Sequence, residues 1–271
     1  MVAECVRGAD AGTVDRVRSL PSTPLRAGGR ALADLVLPRT CAGCGVPGAI
    51  LCRRCRSLLT WPRLAQPRRH PPGFPPTVAA GGYAGPVRPA VNAFKEHGRA
   101  ELAGPLGTAL ALAVAAVLRG VAEPGAGPVL LVPVPSSAAA VRRRGRDHVR
   151  ELADAAATEL RGAGMPARTA LLLGRVSGRR LRDSAGLDAV ERRAKLAGRL
   201  RALPAAARCP AEARLVLVDD VVTSGATLTE AARALRAGAG EPVLAAVVAA
   251  TPRRPRRALA SLPPGAFTVR R

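Results

Sequence analysis

The chain has 271 residues, 48% of them apolar, enough for one sizeable domain plus a small module. Aromatics make up only 2%, so aliphatic and alanine packing must build the core, which counts against an aromatic base-stacking surface. The net charge of +23 points to a polyanionic partner such as nucleic acid, an acidic membrane or a phosphorylated ligand, yet nearly all the basic residues are Arg, which a GC-rich coding bias also produces; charge alone leaves both open.

Residues 1–30 are polar, with Gly and Pro, and are expected to be disordered. They carry Glu4, Asp10 and Asp15 and lack an apolar run, so no secretory signal is expected. A module over 31–60 follows. Its centre, CAGCGVPGAILCRRC, holds two C-x-x-C pairs, Cys41/Cys44 and Cys52/Cys55. Gly43 and Gly45 permit a tight knuckle, and four thiolates can then meet one Zn²⁺ tetrahedrally. An iron–sulfur site and redox thiols are the alternatives. A four-sulfur zinc site has no open position, so its role would be structural. Arg39, Arg53, Arg54 and Arg56 stand beside it and offset its negative charge. Cys5 and Cys209 read as ordinary thiols. Reduced thiols fit the cytoplasm, the expected location.

A Pro-rich linker, WPRLAQPRRHPPGFPPT, lies within 61–80 and is expected to be extended. Over 81–250 helical stretches (Glu101–Leu118, Asp147–Arg161, Leu228–Ala237) alternate with short aliphatic runs (Val129–Val134, Thr169–Leu173, Leu215–Val218, Val243–Ala249). Such alternation predicts an α/β domain with a parallel sheet whose strands are buried on both faces. The longest apolar run, Leu106–Leu118, is shorter than the roughly 20 residues of a membrane span and predicts a buried helix instead. A basic, Pro-rich tail occupies 251–271.

One stretch carries chemistry. LVLVDDVVTSGAT, Leu215–Thr227, runs from a buried strand into two carboxylates and then a loop of hydroxyls. Carboxyl ends of parallel strands are where open α/β sheets bind ligands. A loop entering a helix offers converging backbone N–H groups to an anion. Thr223, Ser224 and Thr227 add hydroxyls, Gly225 allows a tight backbone, and Ala226 leaves space. Asp219 and Asp220 one step away suit sugar hydroxyls, so the pattern predicts a sugar phosphate. No G-x-x-x-x-G-K-[ST] and no strand-borne G-x-G-x-x-G occurs, which argues against a P-loop or dinucleotide site.

LVLVDDVVTSGAT resembles the phosphoribosyl pyrophosphate (PRPP) signature of type I phosphoribosyltransferases. With the cysteine module, GGYAGPVRPAVNAFKEHGR, VPVPSS, RRRGRDHVRELA and DSAGLDAVERRAKLAG in that order, the chain resembles the competence protein F (ComF) family. The resemblance implies a type I phosphoribosyltransferase-like sheet with an N-terminal zinc ribbon. It implies PRPP, or a related ribose 5-phosphate, with Mg²⁺ at Asp219–Thr227 and a pyrophosphate-facing loop at Pro135, Ser136 and Ser137. Arg142 and Arg144 after it either clamp pyrophosphate or form a solvated face. His97 is read as structural or surface. The family has RGFNQ where RGRDH (Arg144–His148) stands, Gln at Ser184, Asn at Lys195 and commonly Thr at Ser224. The resemblance also implies an alternative, a non-catalytic factor in DNA uptake that binds single-stranded DNA with helicase or recombination partners.

Overall fold

The computed structural model describes residues 39–67, 71–120, 127–176, 198–240 and 243–252. The expected disordered N-terminus and residues 253–271 of the expected tail, as well as Ser184 and Lys195, lie outside these residues.

The described chain is a mixed α/β fold around a six-stranded, mostly parallel sheet of order β1-β2-β8-β7-β3-β4. Its strands are β1 (Arg63–Leu64), β2 (Thr77–Gly82), β3 (Val129–Pro133), β4 (Ala167–Thr169), β7 (Arg214–Val222) and β8 (Val243–Ala250), and only the β1–β2 pair is antiparallel. A separate antiparallel pair, β5 (Leu173–Arg175) and β6 (Leu200–Ala202), lies to one side. The helices are α1 (Arg53–Ser57), α2 (Val87–Glu96), α3 (Ala103–Arg119), α4 (Ala138–Arg144), α5 (His148–Gly162) and α6 (Ala226–Ala239).

Strand alternation splits the core into two layers. Val216, Val218, Leu244 and Ala246 face α3 and α5, whereas Leu215, Leu217, Val243 and Ala245 face α6. With few aromatics, the layers close through small residues. A Cβ on Gly107 of α3 would lie 2.4 Å from Ala155 Cβ of α5, so these helices touch almost backbone to backbone. Ala100–Arg119, which contains α3, is long and apolar enough to cross a membrane by length and composition. Much of it is buried against α5 and β8, as a core helix would be.

Two sequence expectations change. The run Thr169–Leu173 is not one strand. The main-sheet strand ends at Thr169, a new strand begins at Leu173 in the smaller sheet, and Leu171 between them is exposed. Apolar character alone does not show where a chain leaves one sheet for another. Within 61–80, read as a linker, Arg63–Leu64 and Thr77–Gly82 are strands. The Ala- and Gly-rich sequence of Thr77–Gly82 has low strand propensity, and pairing to β8 overrides it.

Candidate functional site

The four cysteines converge. Their sulfur atoms all lie within 4.8 Å of one another, an arrangement compatible with structural zinc. Thr40 bridges Pro47, Gly45 N–H donates to the Cys41 carbonyl at 2.8 Å, and Gly45 takes φ 77°, which closes the first knuckle. Gly43 is needed for close approach, because a Cβ there would stand 2.8 Å from Cys55 Sγ and 2.9 Å from the Pro86 carbonyl oxygen. Burial would raise the Cys41 thiol, but backbone N–H groups of Cys52, Cys44 and Gly43 outweigh it and lower its pKa to about 6. That environment favours a thiolate, the form that binds metal.

The module is fused to the sheet. Cys41, Leu51, Cys55 and Leu59 share the layer containing Val78, Ala80, Val87 and Phe94. β2 passes so close under α1 that a Cβ on Gly81 would lie 2.5 Å from the Leu58 carbonyl oxygen. Arg99 Nη1 also donates to the Thr40 carbonyl at 3.0 Å.

The second site is a fork in the sheet. From β3 the chain crosses through α4 and α5 to β4, and from β7 it crosses through α6 to β8 on the other side. Adjacent strands whose connections diverge create a crevice at their carboxyl ends. Val134 N–H makes a last bond to the Val218 carbonyl at 3.0 Å, and Pro135 has no N–H to continue the ladder. β7 nevertheless runs on to Val222, because β8 pairs with it that far. The strand is thus longer than the Leu215–Val218 expected, and Asp219 and Asp220 lie inside it, on the edge that β3 abandons. The Asp220 N–H points to that edge, and Asp219 Oδ1 accepts it at 2.8 Å.

Alternation sends the two carboxylates to opposite faces. Asp220 turns toward α5 and is 2% exposed. Its Oδ2 is 2.7 Å from Lys95 Nζ and 3.2 Å from His148 Nε2, and its Oδ1 accepts from Val221 N–H at 2.7 Å. Burial would raise the Asp220 carboxyl, but the His148 hydrogen bond and the Lys95 charge outweigh it and hold it well below the usual carboxylate range. Burial would likewise lower the Lys95 ammonium, and the Asp220 charge reverses that and raises it.

Asp219 behaves oppositely. Burial and the adjacent Asp220 charge push its carboxyl up to about 8. A carboxyl whose folded pKa exceeds its unfolded value of about 4 contributes stability that is full below pH 4 and lost as pH rises toward 8. Asp219→Asn is therefore expected to flatten the fall in Tm between about pH 5 and pH 9. Scanning calorimetry across that range checks it, and an unchanged slope contradicts it.

The loop after β7 is a small cup of about 30 Å³, lined by the backbone from Val221 to Leu228 at the start of α6. Ser224 Oγ accepts weakly from Ala226 N–H at 3.5 Å, and Thr223 is exposed. Gly225 is constrained twice. Its φ is 78°, and a Cβ would lie 2.9 Å from the Phe74 ring and 3.1 Å from Pro67. Gly225→Ala is expected to cost about 1–3 kcal/mol from backbone strain alone. Urea unfolding measures it, and a midpoint equal to that of the native chain would rule the constraint out.

On the β3 side, Ser137 caps α4 by accepting from Ala140 N–H at 3.1 Å, and Pro135 and Ser136 lead into it, half-buried. Arg142 is exposed. Arg144 pairs with Glu96 at 2.6 Å, and Arg143 joins the same carboxylate at 3.1 Å. His97 is an exposed helix C-cap, at the surface as expected. The sequence reading missed the contact of His148 with Asp220. The only signal was its place in RGRDH, one residue after Asp147, whose side chain caps α5.

A model of the phosphoribosyl transferase domain matches residues 152–261, from within α5 past β8, and so includes β7 and its loop. No curated protein matches the chain. The match and the cysteine cluster fit a phosphoribosyltransferase-like protein with a zinc-ribbon-like module.

Proposed function

We propose that the protein binds PRPP, or a related ribose 5-phosphate, with Mg²⁺ in the crevice between β3 and β7, and transfers the phosphoribosyl group to a nucleophile. The observation that carries this reading is the cup at the start of α6 placed directly after Asp219 and Asp220, within the span that matches the phosphoribosyl transferase domain. Converging N–H groups at a helix start favour a phosphate, and the side-chain oxygens of Asp219 and Asp220 can accept sugar hydroxyls. In transfer, the bond from ribose C1 to pyrophosphate breaks, its electron pair leaves with pyrophosphate, and the nucleophile attacks the resulting oxocarbenium-like centre. Mg²⁺ would neutralise the leaving group, while the chain supplies positioning and fixed dipoles. The order of cysteine module and transferase domain supports placing the chain in the competence protein F family, in the cytoplasm. Calorimetry with PRPP and Mg²⁺ tests the reading: saturable binding supports it, and no binding ends it.

We keep single-stranded DNA as a second ligand for one reason. Residues 39–67 contain five arginines and no acidic residue, and Trp61 there is 74% exposed. Backbone-directed binding would weaken steeply with salt as counterions are released. Fluorescence anisotropy with labelled single strands is expected to show such binding at low ionic strength, and its absence there removes this ligand.

A further inference from the structure

Lys95 and Lys195 are the only lysines in this Arg-rich chain. Lys95 lies in the last turn of α2 and reaches across to Asp220 on β7. Asp220 Oδ2 holds two donors, Lys95 Nζ and His148 Nε2, while Oδ1 holds the Val221 N–H. A carboxylate oxygen has about two acceptor positions, so Oδ2 is full. For that oxygen to accept a ribose hydroxyl, one donor must leave.

His148 cannot leave cheaply. Its side chain is 3% exposed, its ring meets Phe94 edge-on at 6.2 Å, and its Nδ1 is buried without a partner. Losing the Nε2 bond would strand both ring nitrogens in an apolar wall. Lys95 can leave. Its side chain is 30% exposed, and its ammonium sits on a flexible stem. Leaving costs it the ion pair with Asp220, a cost that a second anion offsets better than water does. The proposed phosphate cup lies at the start of α6, which packs on the face of the sheet opposite α2 and α5. Lys95 lies within electrostatic reach of Asp219 and of Arg144 in α4, the helix that the Pro135–Ser137 loop starts. An anion held beside the Pro135–Ser137 loop, at the start of α4, is placed to draw it away.

We propose that Lys95 is a specificity-determining residue that occupies Asp220 until a ligand presents a second anionic group. This rests on the PRPP reading and sharpens it. A ribose 5-phosphate with no anion at C1 leaves Lys95 on Asp220 and loses the hydroxyl contact at Oδ2. A ribose with a diphosphate at C1 takes Lys95 from Asp220 and gains both interactions. The site thereby selects sugars with anions at both ends.

Calorimetry with Mg²⁺ compares PRPP and ribose 5-phosphate in the native chain, Lys95→Met and Lys95→Arg. The native chain is expected to prefer PRPP. Lys95→Met is expected to lower PRPP affinity about tenfold to a hundredfold, the scale of one charged hydrogen bond, and to leave ribose 5-phosphate binding equal or tighter. Lys95→Arg, which keeps the charge, is expected to retain most of the preference. Should Lys95→Met not fold, Lys95→Gln asks the same question, since it still donates to Asp220 but carries no charge. An equal loss for both ligands would overturn the proposal and make Lys95 a support for Asp220. A native chain that binds PRPP with no preference over ribose 5-phosphate would also overturn it while leaving the proposed function standing. A native chain that binds neither ligand overturns both.

Discussion

Asp220→Ala is expected to destabilise the protein by about 2–4 kcal/mol, far more than a surface substitution. The carboxylate is 3% exposed and satisfies three donors at once. Its removal leaves His148 Nε2 buried with no acceptor, beside an Nδ1 that already lacks a partner. Lys95 can turn to water, which keeps the cost below that of a fully enclosed ion. The same change frees the Val221 N–H, which lines the cup after β7, so binding at the proposed site is expected to fall with stability. Asp220 also sets the acid limit of this contribution. Its pKa is depressed, so the stabilisation is present above the unfolded value of about 4 and is lost as pH falls below that toward the folded value. Denaturant unfolding of the variant at neutral pH measures the effect. A loss under about 0.5 kcal/mol, the surface range, would mean that the three contacts do not hold in solution.

Removing metal from the cysteine cluster is expected to have the largest effect of all and to reach beyond the module. Zinc binding in small four-ligand modules is worth about 10–16 kcal/mol. Here Cys41, Cys55, Leu51 and Leu59 share a buried layer with β2, α2 and α3. Chelation or Cys44→Ser should therefore lower the main unfolding transition as well as loosen the knuckle. The Pro-rich stretch does not insulate the module, because β2 runs directly beneath Leu58. Elemental analysis of protein purified without added metal is expected to give one zinc per chain and no iron. Scanning calorimetry before and after chelation then checks the coupling, and an unmoved main transition would contradict it.

Much of this architecture was legible because it depends on short-range patterns. Buried parallel strands read as aliphatic runs, and Val129–Val134 and Val243–Ala249 fall within a residue of β3 and β8. The paired C-x-x-C spacing brought four sulfurs together as chemistry demands. Long-range geometry was not legible. Thr77–Gly82 is a strand only because β8 lies beside it. The two aspartates read as one feature, yet strand alternation parts them, and β8 carries the strand past both. Arg144 reads as either a pyrophosphate clamp or part of a solvated face, and its pairing with Glu96, 48 residues earlier in the chain, shows in no local pattern. His148 and Lys95 stand 72 and 125 residues before Asp220, and no local pattern joins them.

Binding of PRPP with Mg²⁺ to the intact chain, followed by isothermal calorimetry beside Thr227→Val, tests the central claim most directly. Thr227 lies in the first turn of α6 and lines the cup. Valine keeps its shape and removes its hydroxyl. The account predicts saturable one-site binding by the native chain and an affinity about tenfold weaker in the variant, about one hydrogen bond's worth. No binding by the native chain, or equal affinity in both proteins, would contradict it.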